Sequence, residues 1–317
     1  MKYSFIINPA AGKGKIASGL AEKITESCRA RALDFDIYFT KGVGDATDYV
    51  LRTGAERTGD VRFYACGGDG TLGEAVSGMM SLPDREGLSL GLFPIGTGND
   101  FARNFSSGEN FLDVEAQLDG EPLAVDVIRC NDRYSMNIVN IGFDCEVVCD
   151  TNKLKKSPLI PSKLAYIAGL VKTLVRKPGV DMTISVDGSE PQKHHFLLTT
   201  FANGSFYGGG FHSNPRATLM DGQLDCLLVK DITRRKFIML VGDYKKGTHL
   251  TPKFEKILKN FKGHMVDIFF ERETNVSVDG EIVRFSELHL SIVHEALRFL
   301  VPKGSVLLGS QKQTAVV

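Results

Sequence analysis

The feature that most restricts this chain is an alternation running through roughly its first 120 residues. Apolar runs of strand length (YSFIIN, FDIYFT, VRFYAC and LSLGLFPI) are separated by segments of helical period near 16–31, 45–58 and 71–80. Strands joined by helices of that length pair in parallel, because the helix carries the chain back across a sheet face. The expectation is an α/β domain over 1–122 with both faces of its parallel sheet covered. In such sheets ligands sit beyond the carboxyl ends of the strands.

After about residue 122 the texture changes to strands bounded by turn signals, among them LAVDVIRCNDRYSMNIVNIGF, DMTISVDGSEPQKHHFLLTTFAN, QLDCLLV and TNVSVDGEIVRFSELHLSIV. This predicts an antiparallel β-sandwich-like domain over 123–302, with helical insertions near 162–176 and 233–261. A length of 317 residues suits two domains. Strand alternation at His194 and His195 predicts one ring facing in and one facing out.

Lys plus Arg equals Asp plus Glu at 38 each, so no global field draws the chain to nucleic acid or to anionic lipid, and any such attraction is local. The six cysteines form no C-x-x-C pair and read as reduced thiols. The N-terminus enters a strand without the apolar core of a signal peptide, and no apolar run is long enough to span a bilayer. A cytoplasmic location is expected.

The loops after the strands are rich in glycine. In VRFYACGGDGTLGEAV, Gly67, Gly68 and Gly70 leave several backbone N–H groups free to meet one anion, and the N-terminus of the next helix adds a favourable dipole, with Thr71 placed to cap it. Asp69 would repel phosphate there unless a cation lay between, and Mg²⁺ supplies that cation. A tight strand-to-helix turn accounts for one such loop equally well. The second, LGLFPIGTGNDFARN, repeats the pattern with Gly96, Thr97, Gly98, Asn99 and Asp100, where Thr97 and Asn99 can bond a nucleotide and Arg103 can meet Asp100 or phosphate. A third loop, from Asn8 through Lys13 to Lys15, fails as a Walker A loop and matches a dinucleotide fingerprint only weakly.

NPAAGKGK, GGDGT and PIGTGNDFAR, in that order and spacing, resemble the diacylglycerol kinase catalytic domain family, which includes bacterial soluble lipid kinases, sphingosine kinases and ceramide kinases. The resemblance implies an N-terminal domain like that of NAD kinases and phosphofructokinases, with ATP between the domains. Gly67, Gly68 and Gly70 would hold its phosphates, Asp69 would reach the catalytic magnesium, and Asn8, Lys13, Thr71, Gly96, Thr97, Asn99 and Asp100 would complete the nucleotide side. In NVSVDGEIVRF, Asp279 would take the proton from the lipid hydroxyl, with Glu281 supporting the site. From pattern alone this D-G-E is first a hairpin turn, and TISVDGSE at Asp187 looks almost the same. Asp221 resembles a structural magnesium site but reads equally as an Asp-Gly turn, and Lys163 resembles a basic residue near the phosphates. The tail, about 303–317, is expected to return to the first domain.

Seven basic residues and no acid lie between Asp150 and Asp181, and SKLAYIAGLVKTLVRK within that segment is amphipathic. Its apolar stripe suits the β-rich core, while its lysines could meet an anionic membrane surface peripherally. The expected function is an ATP- and Mg²⁺-dependent lipid kinase with diacylglycerol as the default acceptor. NAD kinase, which shares GGDGT, is the runner-up, and a non-catalytic lipid-binding regulator on the same fold is the reading from another class. An edge strand of the β-rich domain could pair two chains as a homodimer.

Overall fold

The computed structural model describes residues 1–13, 15–155, 172–173 and 179–308, without the side chains of 13, 15 and 152–155. Strands β1 (Lys2–Ile7), β2 (Asp34–Phe39), β3 (Val61–Gly67) and β4 (Leu88–Pro94) alternate with helices α1 (Lys15–Ala30), α2 (Asp45–Ala55) and α3 (Asp69–Met80). The strands lie in the order β2-β1-β3-β4, each neighbouring pair parallel. Successive strand residues point to opposite faces. Phe5, Ile7, Tyr64 and Cys66 pack under Ala17, Leu20, Ile24 and Cys28 of α1, while Ile6, Phe63 and Ala65 meet Val50 of α2 and Leu72, Val76 and Met79 of α3. Each large apolar side chain buried this way contributes roughly 1.5–3 kcal/mol.

Beyond the short α4 (Val114–Leu118) the chain turns into β5 (Glu121–Cys130), β6 (Arg133–Ser135) and β7 (Ile138–Gly142), then α5 (Phe143–Lys155). There follow β8 (Val180–Val186), β9 (Gln192–Ala202), β10 (Leu224–Lys230), α6 (Arg234–Lys246), β11 (Leu258–Gly263), β12 (Met265–Val278) and β13 (Glu281–Val301). These later strands pair antiparallel. At 21 residues β13 is long enough to serve both halves: it runs antiparallel to β12 and β5, bends at Glu295 (φ 48°), and meets β4 in parallel at Phe299 and Leu90. The sheet reached by the parallel strands is therefore mixed, and one hydrogen-bonded path of strands crosses both halves.

The helix expected over 233–261 ends early. Gly247 adopts the left-handed conformation that closes α6, Pro252 follows, and residues 258–263 pair with β10 as a strand. His194 and His195 are both exposed, because the first residues of β9 precede its buried stretch. Residues after β13 reach back to the α/β half, where Val306 O accepts from Ser106 N at 2.8 Å and Leu308 N donates to Asn104 O at 2.8 Å. The amphipathic segment 162–176, Lys163 and residues 309–317 lie outside the described residues. No helix among the described residues is long and apolar enough to cross a membrane.

Candidate active site

The two glycine loops are built against each other. Gly96 N donates to Gly67 O at 3.1 Å, and a Cβ on Gly68 would stand 3.3 Å from Gly96 Cα, so the loops stack backbone on backbone. A Cβ on Gly98 would lie 2.8 Å from Asp69 Oδ2. Helix α3 begins earlier than a Thr71 cap would require. Gly68, in extended conformation, is its N-cap and accepts from Leu72 N at 3.1 Å. Thr71 lies inside the first turn, buried, where Asn8 Nδ2 donates to its Oγ1 at 3.2 Å and ties the Asn8 loop to the Gly67–Gly70 loop. Asn99 (φ 54°) donates to Pro94 O at 2.8 Å and Gly96 O at 3.0 Å, which uses its amide to shape its own loop. Thr97 is exposed at the loop tip.

Three carboxylates share this neighbourhood. Asp69 Oδ1 accepts from Asp100 N at 2.8 Å and Phe101 N at 3.3 Å. Asp100 Oδ1 faces Arg103 Nε at 3.3 Å, and its Oδ2 accepts from Gly209 N at 2.9 Å. Asp279 sits at the left-handed turn between β12 and β13, accepting at Oδ1 from Ser135 Oγ (2.7 Å), Ile138 N (2.9 Å) and Asn137 N (3.2 Å), and at Oδ2 from Met136 N (2.8 Å). Burial pushes the Asp69 carboxyl up and the Asp100 charge adds to it. Burial likewise pushes Asp279 up to about 6; its hydrogen bonds pull the other way and the Asp69 charge adds a little. Glu281, exposed, brings Oε1 to 3.8 Å from where a Cβ on Gly70 would stand.

A divalent cation would relieve this mutual repulsion, so the residues fit magnesium. No three acidic, histidine or cysteine side chains among the described residues converge as a metal cage. The ion would therefore take much of its oxygen shell from phosphates and water, as magnesium commonly does.

These loops form one end of a cavity of about 1060 Å³. Its other end is apolar, walled by Phe143 and Val147 of α5, Leu198 of β9, Phe211, and Phe237 and Leu240 of α6. Asp144, Tyr207 and Tyr244 line that arm as well. The Tyr207 hydroxyl donates to Asp144 and lies 3.3 Å from the Tyr244 hydroxyl, while burial pushes the Asp144 carboxyl up to about 6. Between the two ends runs the turn Tyr207–Phe211, whose Gly208, Gly209 and Gly210 all take positive φ (61°, 80° and 107°).

The glycine loops, Asp69 and Asp100 lie together with Asp279, which residue pattern alone leaves as a hairpin turn and only the family resemblance singles out, while the apolar arm and the Tyr207 turn have no counterpart among the expectations. Three successive glycines in FYGGGF are the signal that could have marked that turn. Asp221 lies away from the cavity: Lys262 pairs with its carboxylate, and its Oδ1 accepts from Gln223 N at 3.1 Å. Beside it the fully buried Asp126 accepts from Gly222 N at 2.7 Å and Glu295 N at 2.8 Å and lies 2.8 Å from His294 Nδ1. The Lys13 side chain lies outside the described residues.

Residues 2–130 match the model of the diacylglycerol kinase catalytic domain, and residues 137–301 match that of the YegS C-terminal NAD kinase β-sandwich-like domain. A protein of Staphylococcus haemolyticus named "Putative lipid kinase" is 26% identical over 92% of this chain and 92% of its own length. One of Staphylococcus epidermidis with the same name is 27% identical over 92% and 93%. A solved structure titled as a "putative diacylglycerol kinase" from Bacillus anthracis superposes with a TM-score of 0.74 at 25% identity, covering 94% of this chain and 96% of that one. Together the two models cover both halves of the fold, and the chain belongs to the family built of a diacylglycerol kinase catalytic domain followed by a YegS C-terminal NAD kinase β-sandwich-like domain.

Proposed function

We propose that this protein is an ATP- and Mg²⁺-dependent kinase that transfers the γ-phosphoryl group to the hydroxyl of a lipid, diacylglycerol being the default acceptor. The observation that carries this reading is the two-ended cavity. Glycine loops and carboxylates suited to phosphate and magnesium stand at one end, an apolar arm suited to an acyl chain extends from the other, and Asp279 lines the same space. A dinucleotide acceptor would leave that arm without an apolar occupant, which weighs against NAD kinase.

ATP supplies the phosphoryl group, and magnesium bound to its phosphates neutralises charge as the group moves. Gly68, Gly70 and Gly98 carry no side chains of their own to block phosphate oxygens, and Asp69 and Asp100 would hold the cation if it binds beside them. Asp279 receives the hydroxyl proton. Its Oδ2 accepts a single hydrogen bond, from Met136 N, which leaves a lone pair for the acceptor hydroxyl. The four donors around the carboxylate fix its direction, as general-base work requires.

The test is transfer of ³²P from γ-labelled ATP, with magnesium, to mixed micelles of diacylglycerol, monoacylglycerol, ceramide, sphingosine, undecaprenol or phosphatidylglycerol, with NAD in parallel. Label on one lipid that vanishes in Asp279→Asn supports the proposal. Label on NAD alone, or ATP binding with no transfer to any acceptor, overturns it.

A further inference from the structure

Helix α6 has two apolar faces, of which one is covered. The inner face gives Phe237, Leu240, Val241 and Tyr244 to the wall of the apolar arm. On the outer face Ile238 and Met239 are 60% and 57% exposed. At 3.6 residues per turn, Arg235, Ile238, Met239, Gly242, Lys245 and Lys246 fall on one stripe, which sets two apolar side chains between basic residues at either end. The helix carries five basic residues and one acid, Asp243, which Lys253 meets at 3.3 Å. In a chain whose charges balance, this excess is local. A single exposed isoleucine needs no explanation; an adjacent pair, framed by cations on the wall of an apolar cavity, does.

We infer that α6 is a membrane-docking helix, which lies in the headgroup layer of an anionic bilayer with Ile238 and Met239 inserted and Arg235 and Lys246 against lipid phosphates, while Lys245 lies over the Phe211 ring at 5.6 Å. The patch is too small for a stable protein interface, which needs about 800 Å² from each partner. Interfacial helices bind lipid with a few apolar side chains supported by cations. The helix is also preformed. Thr233 caps its start by accepting from Lys236 N, and Gly247 in the left-handed conformation closes its end. Docked this way, one helix separates the bilayer from the apolar arm, a distance of about 10 Å. The usefulness of that placement rests on the lipid-kinase reading, but the docking itself does not.

The test is sedimentation of the full chain with vesicles of equal parts phosphatidylglycerol and phosphatidylcholine, without ATP or magnesium. Wild type is expected to bind these vesicles, to bind pure phosphatidylcholine far less, and to be released by salt. Ile238→Asp with Met239→Asp should lose at least about tenfold in partitioning, Ile238→Ser with Met239→Ser should show a smaller loss, and Arg235→Gln or Lys246→Gln should each lose about fivefold. All should keep the wild-type melting temperature, and any turnover of a water-soluble short-chain acceptor should be unchanged. Failure of wild type to bind anionic vesicles overturns the inference, as do outer-face variants that bind like wild type or a wild-type dimer that those variants dissociate. Vesicle binding in a protein that phosphorylates no lipid would leave the docking inference standing and remove the kinase reading alone.

Discussion

Asp279 and Asp187 occupy the same position in two V-D-G hairpin turns, at φ 47° and 48°, and both carboxylates accept backbone N–H groups. Their surroundings differ. The Asp187 carboxylate caps His264 N and Met265 N near the surface and is held below the usual range, whereas Asp279 lines the cavity and is pushed up to about 6. Asp279→Asn is therefore expected to lower kcat by about 10²–10⁴-fold, the range for removal of a general base. Asp187→Asn should leave kcat within about twofold and cost only stability, roughly 1 kcal/mol. Steady-state kinetics and thermal melts on the pair check both.

The elevated carboxyl also sets a pH limit. As the proposed base, Asp279 would act only when ionised, so kcat/KM should fall about tenfold per pH unit below about 6 and level off above it. Bound magnesium would favour the ionised form whereas the ATP phosphates would oppose it, so a break in kcat at lower pH than that in kcat/KM would show that the cation is the nearer of the two. A pH–rate series under both regimes separates the two.

Gly98 and Gly73 give opposite expectations for the same substitution. A Cβ at Gly98 would lie 2.8 Å from Asp69 Oδ2, while at Gly73, inside α3, it would meet nothing within 4 Å. Gly98→Ala should displace the Asp69 carboxylate and raise the magnesium concentration needed for half-maximal rate several-fold, with the fold intact. Gly73→Ala should stabilise the protein by roughly 0.5–1 kcal/mol through helix propensity and leave kinetics unchanged. Magnesium titrations and denaturant midpoints distinguish them.

Asp144 predicts a stability gain. A carboxyl whose pKa rises on folding holds its proton more tightly in the native state, so its contribution favours folding below about pH 4 and is lost as pH climbs through about 6. The rise from 3.8 to about 6 corresponds to ~3 kcal/mol at neutral pH. Asp144→Asn should recover part of that, on the order of 2 kcal/mol, since Tyr207 keeps a weaker acceptor. Urea midpoints between about pH 4 and pH 8 should show the variant gaining on wild type as pH rises. A gain that does not grow with pH would refute this account of the cluster.

Local rules carried the sequence reading a long way in the first half of the chain. The apolar runs of β1 to β4 and the intervening helical periods are visible without any contact, because side-chain direction in a strand or helix repeats with a fixed period. The glycine loops were legible for a similar reason: a turn where backbone must approach backbone accepts little else, as Gly68 on Gly96 illustrates. Helix α6 ends well before its helical spacing does. Phe254, Ile257 and Phe261 keep helical spacing, yet Gly247 and Pro252 end the helix and β10 offers an edge to residues 258–263.

The sequence by itself determined the strand-and-helix alternation, the glycine turns and which acids stand in or beside those turns, because each of these is written in neighbouring residues. Only the tertiary structure decided which V-D-G turn faces the cleft, that β13 joins the two halves through one sheet, and that Phe143, Leu198 and Phe237 wall an apolar arm beside Asp144. Burial and field at a side chain are set by segments far away in the sequence, and an apolar residue at helical spacing reads the same whether it fills a core or lines an empty space within it.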